Sequence, residues 1–269
     1  MICNGFRRAY CSLTAMEFTV ERVTKGDNVY ALFRMNHPGT RNAISKNLVK
    51  QMADAIEVVK SDDRLRAVIL KSDVPNIFCA GANLKERAEM TEPEVLRFVN
   101  RTRRLLTDLE SLPLPVIAAM DGAALGGGLE FALACDIRTA SKDAQMGLIE
   151  TRVAVLPALG GTQRLPRLVG RAMAKELIFT ARVIDGVEAY RIGLVNHVVE
   201  QNETGDEILP QAPKSVKFAK LALLKGVDVD LDTGLAMEEH CYAQIIPLKD
   251  RLEGLQAFKE KRRPHYKGE

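Results

Sequence analysis

Two carboxylates and three runs of small residues are the parts of this sequence whose types and spacing could do chemistry. In Phe78-Cys79-Ala80-Gly81-Ala82-Asn83-Leu84-Lys85-Glu86, small side chains at 80–82 follow a strand end. They let a ligand approach the backbone, and their N–H groups could point at an anion. In Ala123-Ala124-Leu125-Gly126-Gly127-Gly128-Leu129-Glu130, three glycines open a helix directly after a strand. Free N–H groups and the helix dipole favour negative charge at such an N-terminus. The spacing is not GxGxxG, and the Lys-Ser/Thr of a phosphate loop is missing. Glu130 sits in the first turn, where a carboxylate also simply complements the dipole. In Met146-Gly147-Leu148-Ile149-Glu150-Thr151, followed by Pro157-Ala158-Leu159-Gly160-Gly161-Thr162-Gln163-Arg164-Leu165, Glu150 lies among apolar neighbours. A carboxylate there is either exposed on a loop or held in an apolar pocket with a raised pKa. Taken one at a time, the three segments read as a tight turn, a helix start and an exposed loop.

The elements that must position these residues follow from periodicity. Residues 29–35 read as a strand, broken by His37-Pro38-Gly39-Thr40. Ser45 starts a helix to about residue 60, with Leu48, Met52, Ile56 and Val59 on one face. The β-branched run at 65–71 reads as a buried strand. Thr91 with Glu94 three residues on is a capping-box pattern, opening a helix to about residue 112. Val95, Phe98, Val99, Leu105 and Leu109 are its expected core contacts, and Pro113 and Pro115 end it. Residues 116–120 form the next strand, the glycine run leads into a helix through Ala134, and short strands fit 136–140 and 145–147. The alternation predicts an α/β core with crossover connections. After Gly161 the pattern turns mostly helical: 175–180, 187–191, 214–225, 233–246 and 249–261.

In order and spacing, FCAGANLKE, ALGGGLEFALACDI, and MGLIE followed by GGTQRLPR resemble the enoyl-CoA hydratase/isomerase family, the crotonase superfamily. The resemblance covers residues 18–269. Within the family, SDVPNIFCAGANLKERAEM, AKELIFTARVIDG, HCYAQIIPLKDRLEGLQAFKEKR and the terminal YKGE look most like the branch that hydrates 3-methylglutaconyl-CoA in leucine degradation. The resemblance implies a ββα spiral core over 17–206 and a helical C-terminal trimerisation region over 207–269. It also implies an acyl-CoA substrate, a homo-trimer or a hexamer of two trimers, and a mitochondrial matrix location. No cofactor is implied, because coenzyme A is part of the substrate.

Hydration of an α,β-unsaturated thioester puts negative charge on the thioester oxygen in the transition state, and two preorganised donors must hold it. By resemblance these are the backbone N–H groups of Ala82 and Gly127. Water must lose a proton as it attacks the β carbon, and the α carbon must gain one; two carboxyls in different protonation states do both. Glu130 and Glu150 match the family's catalytic glutamates, Glu130 ionised to activate water and Glu150 delivering the proton. Their joint presence favours a hydratase over an isomerase or thioesterase. By resemblance Arg41, Ala80, Asn83, Leu84 and Lys85 lie along the CoA site, and Phe258 and Lys261 at its rim, often from a neighbouring subunit. Three departures stand out. Asn83 replaces the family's usual Asp, Ala158-Leu159 replaces a pair that is usually small, and about ten residues, roughly 15 Å of helix, are missing between Asp206 and Glu207.

Composition bounds the alternatives. The 269 residues are 46% hydrophobic and 27% charged, the mix of a globular protein. No apolar run reaches the roughly 18 residues of a membrane span. Lys plus Arg is 38 against 35 Asp plus Glu, so the net charge of +3 does not by itself imply a nucleic-acid partner. Cys3, Cys11, Cys79, Cys135 and Cys241 are odd in number with no CxxC, and the four histidines lack metal-ligand spacing. Residues 1–16 carry Arg7 and Arg8 and no acid, consistent with a flexible or targeting segment. Two other readings remain: a short-chain hydratase of fatty-acid β-oxidation, and an RNA-binding or low-activity homologue. For RNA, Arg97, Arg101 and Arg104 share a helix face, without an aromatic platform.

Overall fold

The computed structural model describes residues 16–25, 28–200 and 213–269. Strands β1 (Phe18–Lys25) and β2 (Asn28–Met35) form an antiparallel pair. Then come α1 (Lys46–Lys60), β3 (Leu65–Ser72), β4 (Ile77–Cys79), α2 (Leu84–Ala88) and α3 (Glu92–Glu110). They are followed by β5 (Val116–Met120), β6 (Ala123–Leu125), α4 (Gly127–Leu133), β7 (Ile137–Ser141) and β8 (Met146–Gly147). The rest is α5 (Gly161–Val169), α6 (Arg171–Thr180), α7 (Gly186–Arg191), β9 (His197–Val199), α8 (Pro213–Gly226), α9 (Leu231–Ile245) and α10 (Lys249–Glu260).

The chain alternates between two sheets. One runs β1-β2-β3-β5-β7-β9, and all its pairings after the first are parallel. The other is a small parallel sheet, β4-β6-β8. Each of β3, β5 and β7 is thus followed by a strand that steps across to the small sheet, and a helix or loop then returns the chain to the large one. This is the expected spiral, and the parallel crossovers account for its buried, β-branched strands.

Local signals set the elements. Ser45 caps α1 through its hydroxyl oxygen, which accepts from the Leu48 N–H at 2.9 Å, and Leu48, Met52, Ile56 and Val59 are buried. The Glu94 carboxylate accepts from both the N–H and the hydroxyl of Thr91 at 2.8 Å, completing the capping box. Phe98, Val99, Leu105 and Leu109 turn into the core, with Val95 packed at its edge. Phe33, Phe78, Phe131 and Leu106 are among the fully buried side chains between the layers.

Two features differ from the sequence expectations. β1 was not anticipated, because its polar positions hide the alternation of an edge strand. β9 adds a last strand within the stretch expected to be helical. The break between core and helical region at 206/207, and the missing stretch there, lie outside the described residues, as does the N-terminal segment apart from Met16. No helix among the described residues is long and apolar enough to cross a membrane.

Candidate active site

The small sheet organises the site. Ala82, Gly127 and Glu150 stand just beyond the C-terminal ends of β4, β6 and β8, and the register pairs Cys79 with Ala124 and Leu125 with Gly147. Close approach of these strand ends needs glycine. A Cβ on Gly128 would fall 2.2 Å from the Cys79 carbonyl oxygen. Gly81, at φ +96°, has the Leu125 oxygen 2.8 Å and the Gly127 nitrogen 3.6 Å from where its Cβ would be.

This packing brings the two candidate oxyanion donors to one place. Ala82 bridges Ile44, but the bridge uses the Gly81 carbonyl, which accepts from Ile44 N–H at 2.8 Å, and the Asn83 N–H, at 3.4 Å. The Ala82 N–H is left out of it. Gly127 is the first residue of α4, where N–H groups have no intrahelical acceptor. A Cβ on Gly127 would meet Ile44 Cδ1 at 2.7 Å and Leu159 Cδ1 at 3.3 Å, so these two side chains wall the space above it.

The carboxylates differ in their surroundings. Glu130, 1% exposed, holds its Oε1 under two backbone donors, Leu159 N–H at 2.8 Å and Gly161 N–H at 2.7 Å. Burial pushes its pKa up to about 7; the Gly161 bond opposes this, and the Glu150 charge adds to it. Glu150 opens a 3-10 turn after β8, beside Gly126, whose Cβ would lie 3.2 Å from Glu150 Oε1. Its pKa is also raised by burial, and its Oε2 is buried without a hydrogen-bond partner. A carboxyl oxygen with no donor favours the protonated form, whereas two N–H donors favour the ionised one. The exposed-loop alternative for Glu150 is therefore set aside.

The loop that supplies the donors to Glu130 is itself clamped, a feature missed in the sequence. Arg103 on α3 donates through Nε and Nη2 to the Ala158 carbonyl at 3.0 and 2.8 Å. Arg164 on α5 donates to the Leu159 carbonyl at 3.1 Å while paired with Glu110 at 2.7 Å. The Arg103 contact spans 55 residues and ends on a backbone carbonyl, and Arg164 joins Leu159, five residues away, to Glu110, 54 away; only the GGTQR run hinted at Arg164. Leu159 keeps its turn and its N–H bond and buries its side chain at 4% exposure.

The remaining candidates are spread wider. Arg41 is exposed, and its carbonyl accepts from the Ala80 N–H at 3.0 Å, which places the two side by side. Asn83 caps α2 by accepting from Glu86 N–H at 3.2 Å, so losing the usual acid does not cost the cap. Leu84, 61% exposed, and Lys85 face outward on α2. Phe258, 87% exposed, lies on α10, and the exposed Lys261 caps its C-terminal end. Arg97, Arg101 and Arg104 are exposed on α3. Cys79, Cys135 and Cys241 are buried free thiols, and no group of residues suited to a metal ion occurs among the described residues.

Comparison with known proteins extends the pattern over the chain. The family described as Enoyl-CoA hydratase/isomerase matches residues 25–269. The chain is 52% identical to human "Methylglutaconyl-CoA hydratase, mitochondrial" over 276 residues, covering 98% of this chain and 81% of that protein. It is 49% identical to human "Enoyl-CoA hydratase domain-containing protein 2, mitochondrial", covering 94% and 90%. A crystal structure of enoyl-CoA hydratase from Bacillus anthracis superposes with a TM-score of 0.89 at 44% identity, over 94% of this chain and 100% of that one. With the family model matching residues 25–269 and relatives about half identical over nearly the whole chain, the chain belongs to the enoyl-CoA hydratase/isomerase family.

Proposed function

We propose that this chain is a hydratase that adds water reversibly across the α,β double bond of 3-methylglutaconyl-CoA, a step of leucine degradation. The observation that carries the reading is the unlike pair of carboxyls, Glu130 under two N–H donors and Glu150 with an unpartnered oxygen. In this reading Glu130 takes a proton from water as the water oxygen bonds to the β carbon. The π electrons move to the thioester oxygen, held by the N–H groups of Ala82 and Gly127. The enolate then collapses, and its α carbon takes the proton of Glu150. Dehydration runs the same steps backwards. Arg41, Ala80, Asn83, Leu84 and Lys85 serve the CoA portion, with no separate cofactor.

The names of the relatives support the substrate and a mitochondrial location. A second reading, a short-chain enoyl-CoA hydratase, is favoured by Leu159, whose side chain narrows the space over Gly127. A hydration assay on crotonyl-CoA, longer enoyl-CoA esters and 3-methylglutaconyl-CoA decides. Highest kcat/KM on the last supports the first reading, and highest on crotonyl-CoA the second.

We further propose a core over 17–206, a helical region over 207–269, and a homo-trimer or hexamer formed through that region. An apolar groove of about 670 Å³ runs between α8 and α9. Leu223, Val227 and Leu231 there are 64%, 73% and 75% exposed, more apolar surface than a lone subunit ordinarily shows. Sedimentation of this chain beside one with a family-type helix inserted after Asp206 tests it; weaker assembly of the short chain is expected. A stable, fully active hexamer of the short chain would show that the helix is dispensable.

A further inference from the structure

Glu130 is reached from the protein surface by way of a single peptide group. The Ala158 carbonyl and the Leu159 N–H belong to the same trans peptide, so they point in opposite directions. The N–H points inward and donates to Glu130 Oε1 at 2.8 Å. The carbonyl points outward and accepts from Arg103 on α3, through Nε at 3.0 Å and Nη2 at 2.8 Å. Leu159 is buried, Ala158 half-buried and Arg103 exposed, so the peptide stands between the carboxylate and the surface.

This contact does two things to Glu130. Turned over, the peptide would set its carbonyl oxygen against Oε1, oxygen against oxygen, and a guanidinium on the outer face holds it the right way round. A charge-assisted bond to the carbonyl also polarises the peptide, which makes its N–H a stronger donor on the other side. The only other bond of the Arg103 guanidinium is to Asn100 Oδ1 at 3.4 Å, so among the described residues no carboxylate offsets its charge. Arg164 differs: it holds the Leu159 carbonyl but is paired with Glu110 at 2.7 Å. The second donor to Glu130, the Gly161 N–H, is aimed by the start of α5 and needs no such support. The charged groups that face Glu130 itself are Glu150, which raises its pKa, and Arg164, which lowers it. With that pKa at about 7, the strength of one donor decides how much of the base is ionised near neutral pH.

We propose that Arg103 is a positioning residue for the hydration step: through the Ala158–Leu159 peptide it aims and strengthens the N–H that holds Glu130 as the carboxylate accepting the proton of water. This rests on the hydratase reading above. It gives a surface arginine, 27 residues before Glu130 and outside the three glycine-rich segments, a part in the chemistry without contact with the substrate.

The test compares the full chain with Arg103→Met and Arg103→Lys, taking kcat against pH at saturating 3-methylglutaconyl-CoA and crotonyl-CoA, with free CoA binding measured by calorimetry. Weakening the donor favours the protonated form of Glu130, so its pKa rises and the acid limb of the profile moves to higher pH. In Arg103→Met that limb should move up by about one pH unit, about tenfold less ionised base at a given pH below it. The basic limb, set by Glu150, should stay, the shift should be the same on both esters, and free CoA binding should match the parent. Arg103→Lys should recover part of the shift, since one ammonium replaces the fork. A loss of kcat by the same factor at every pH would assign Arg103 to the fold, and a loss confined to the diacid ester would make it a substrate contact; either overturns the proposal. A parent active on either ester, with an unmoved acid limb in Arg103→Met, overturns this assignment alone. A parent that hydrates neither ester overturns the hydratase reading as well.

Discussion

Glu130→Gln should separate the stability of this protein from its chemistry. Burial raises the Glu130 pKa from 4.5 to about 7, so the folded chain holds this proton more tightly than the unfolded one. Where the native state binds more protons, stability falls as pH rises. The contribution is fully present below the unfolded value and is lost through the folded value. Between about pH 5 and about pH 8, linkage over that shift removes about 2.5 kcal/mol. Glutamine keeps an oxygen to accept from Leu159 and Gly161 and does not titrate. Relative to the parent, the variant should therefore gain about 2.5 kcal/mol on going from about pH 5 to about pH 8. At roughly 2–4 °C per kcal/mol this is a relative rise of about 5–10 °C in Tm. At about pH 8, where Glu130 of the parent is mostly ionised, kcat of the variant should be lower by about 10²–10⁴-fold, the usual size of a lost general base. Calorimetric melts of both proteins at the two pH values, beside a hydration assay, measure each quantity. A Tm difference that does not change with pH would show that Glu130 is not a strained, buried acid. Near-parent kcat would show that it is not the base.

Three further perturbations follow from the same geometry. Ala82→Pro removes the N–H proposed to hold the thioester oxygen and should cost about 10²–10³-fold in kcat, whereas Ala82→Ser keeps it and should lose far less; equal losses, with circular dichroism unchanged, would refute the donor role. Leu159→Gly keeps the N–H bond to Glu130 but opens the wall over Gly127, so kcat/KM should shift toward bulkier acyl groups, at a stability cost of about 2–5 kcal/mol. An unchanged acyl profile in the substrate panel would place Leu159 outside the pocket. Lys220 on α8 donates to Asp136 at 2.7 Å and to the Leu114 carbonyl at 3.0 Å. Lys220→Met should cost about 3–5 kcal/mol in chemical denaturation, and adding Asp136→Asn should restore part of it; no restoration would mean that the charge pair is not what anchors α8.

The sequence was legible wherever the signal was local. The Ser45 cap, the Thr91–Glu94 box and the apolar face of α1 are read within one or two turns of helix, and they reappear unchanged. The glycine-rich segments were recognisable because backbone contact leaves so few residue types possible. What escaped was short or distant. β4, β6 and β8 span two or three residues each, too few for an alternation to show, yet they gather the whole site. Glu150 looked as ready for solvent as for burial until β8 and Gly126 closed around it. The grip of Arg103 on Ala158 joins residues 55 apart through a carbonyl that has no side-chain identity to read.

The alternation between two sheets has an evolutionary consequence. Each spiral turn ends one strand of the small sheet and carries one part of the proposed site: an N–H from the first turn, an N–H and a carboxyl from the second, a carboxyl from the third. The frame of each part is a separate stretch of chain with its own strand and its own glycines. A substitution beyond one strand end can therefore change that turn's group with little effect on the backbone of the other two. Effects on folding from different turns should be close to additive, while the two carboxyls, which feel each other's charge, should show epistasis. A lineage built this way can trade one reaction for another a turn at a time. The order in which it can do so is constrained mainly by the Glu130–Glu150 pair.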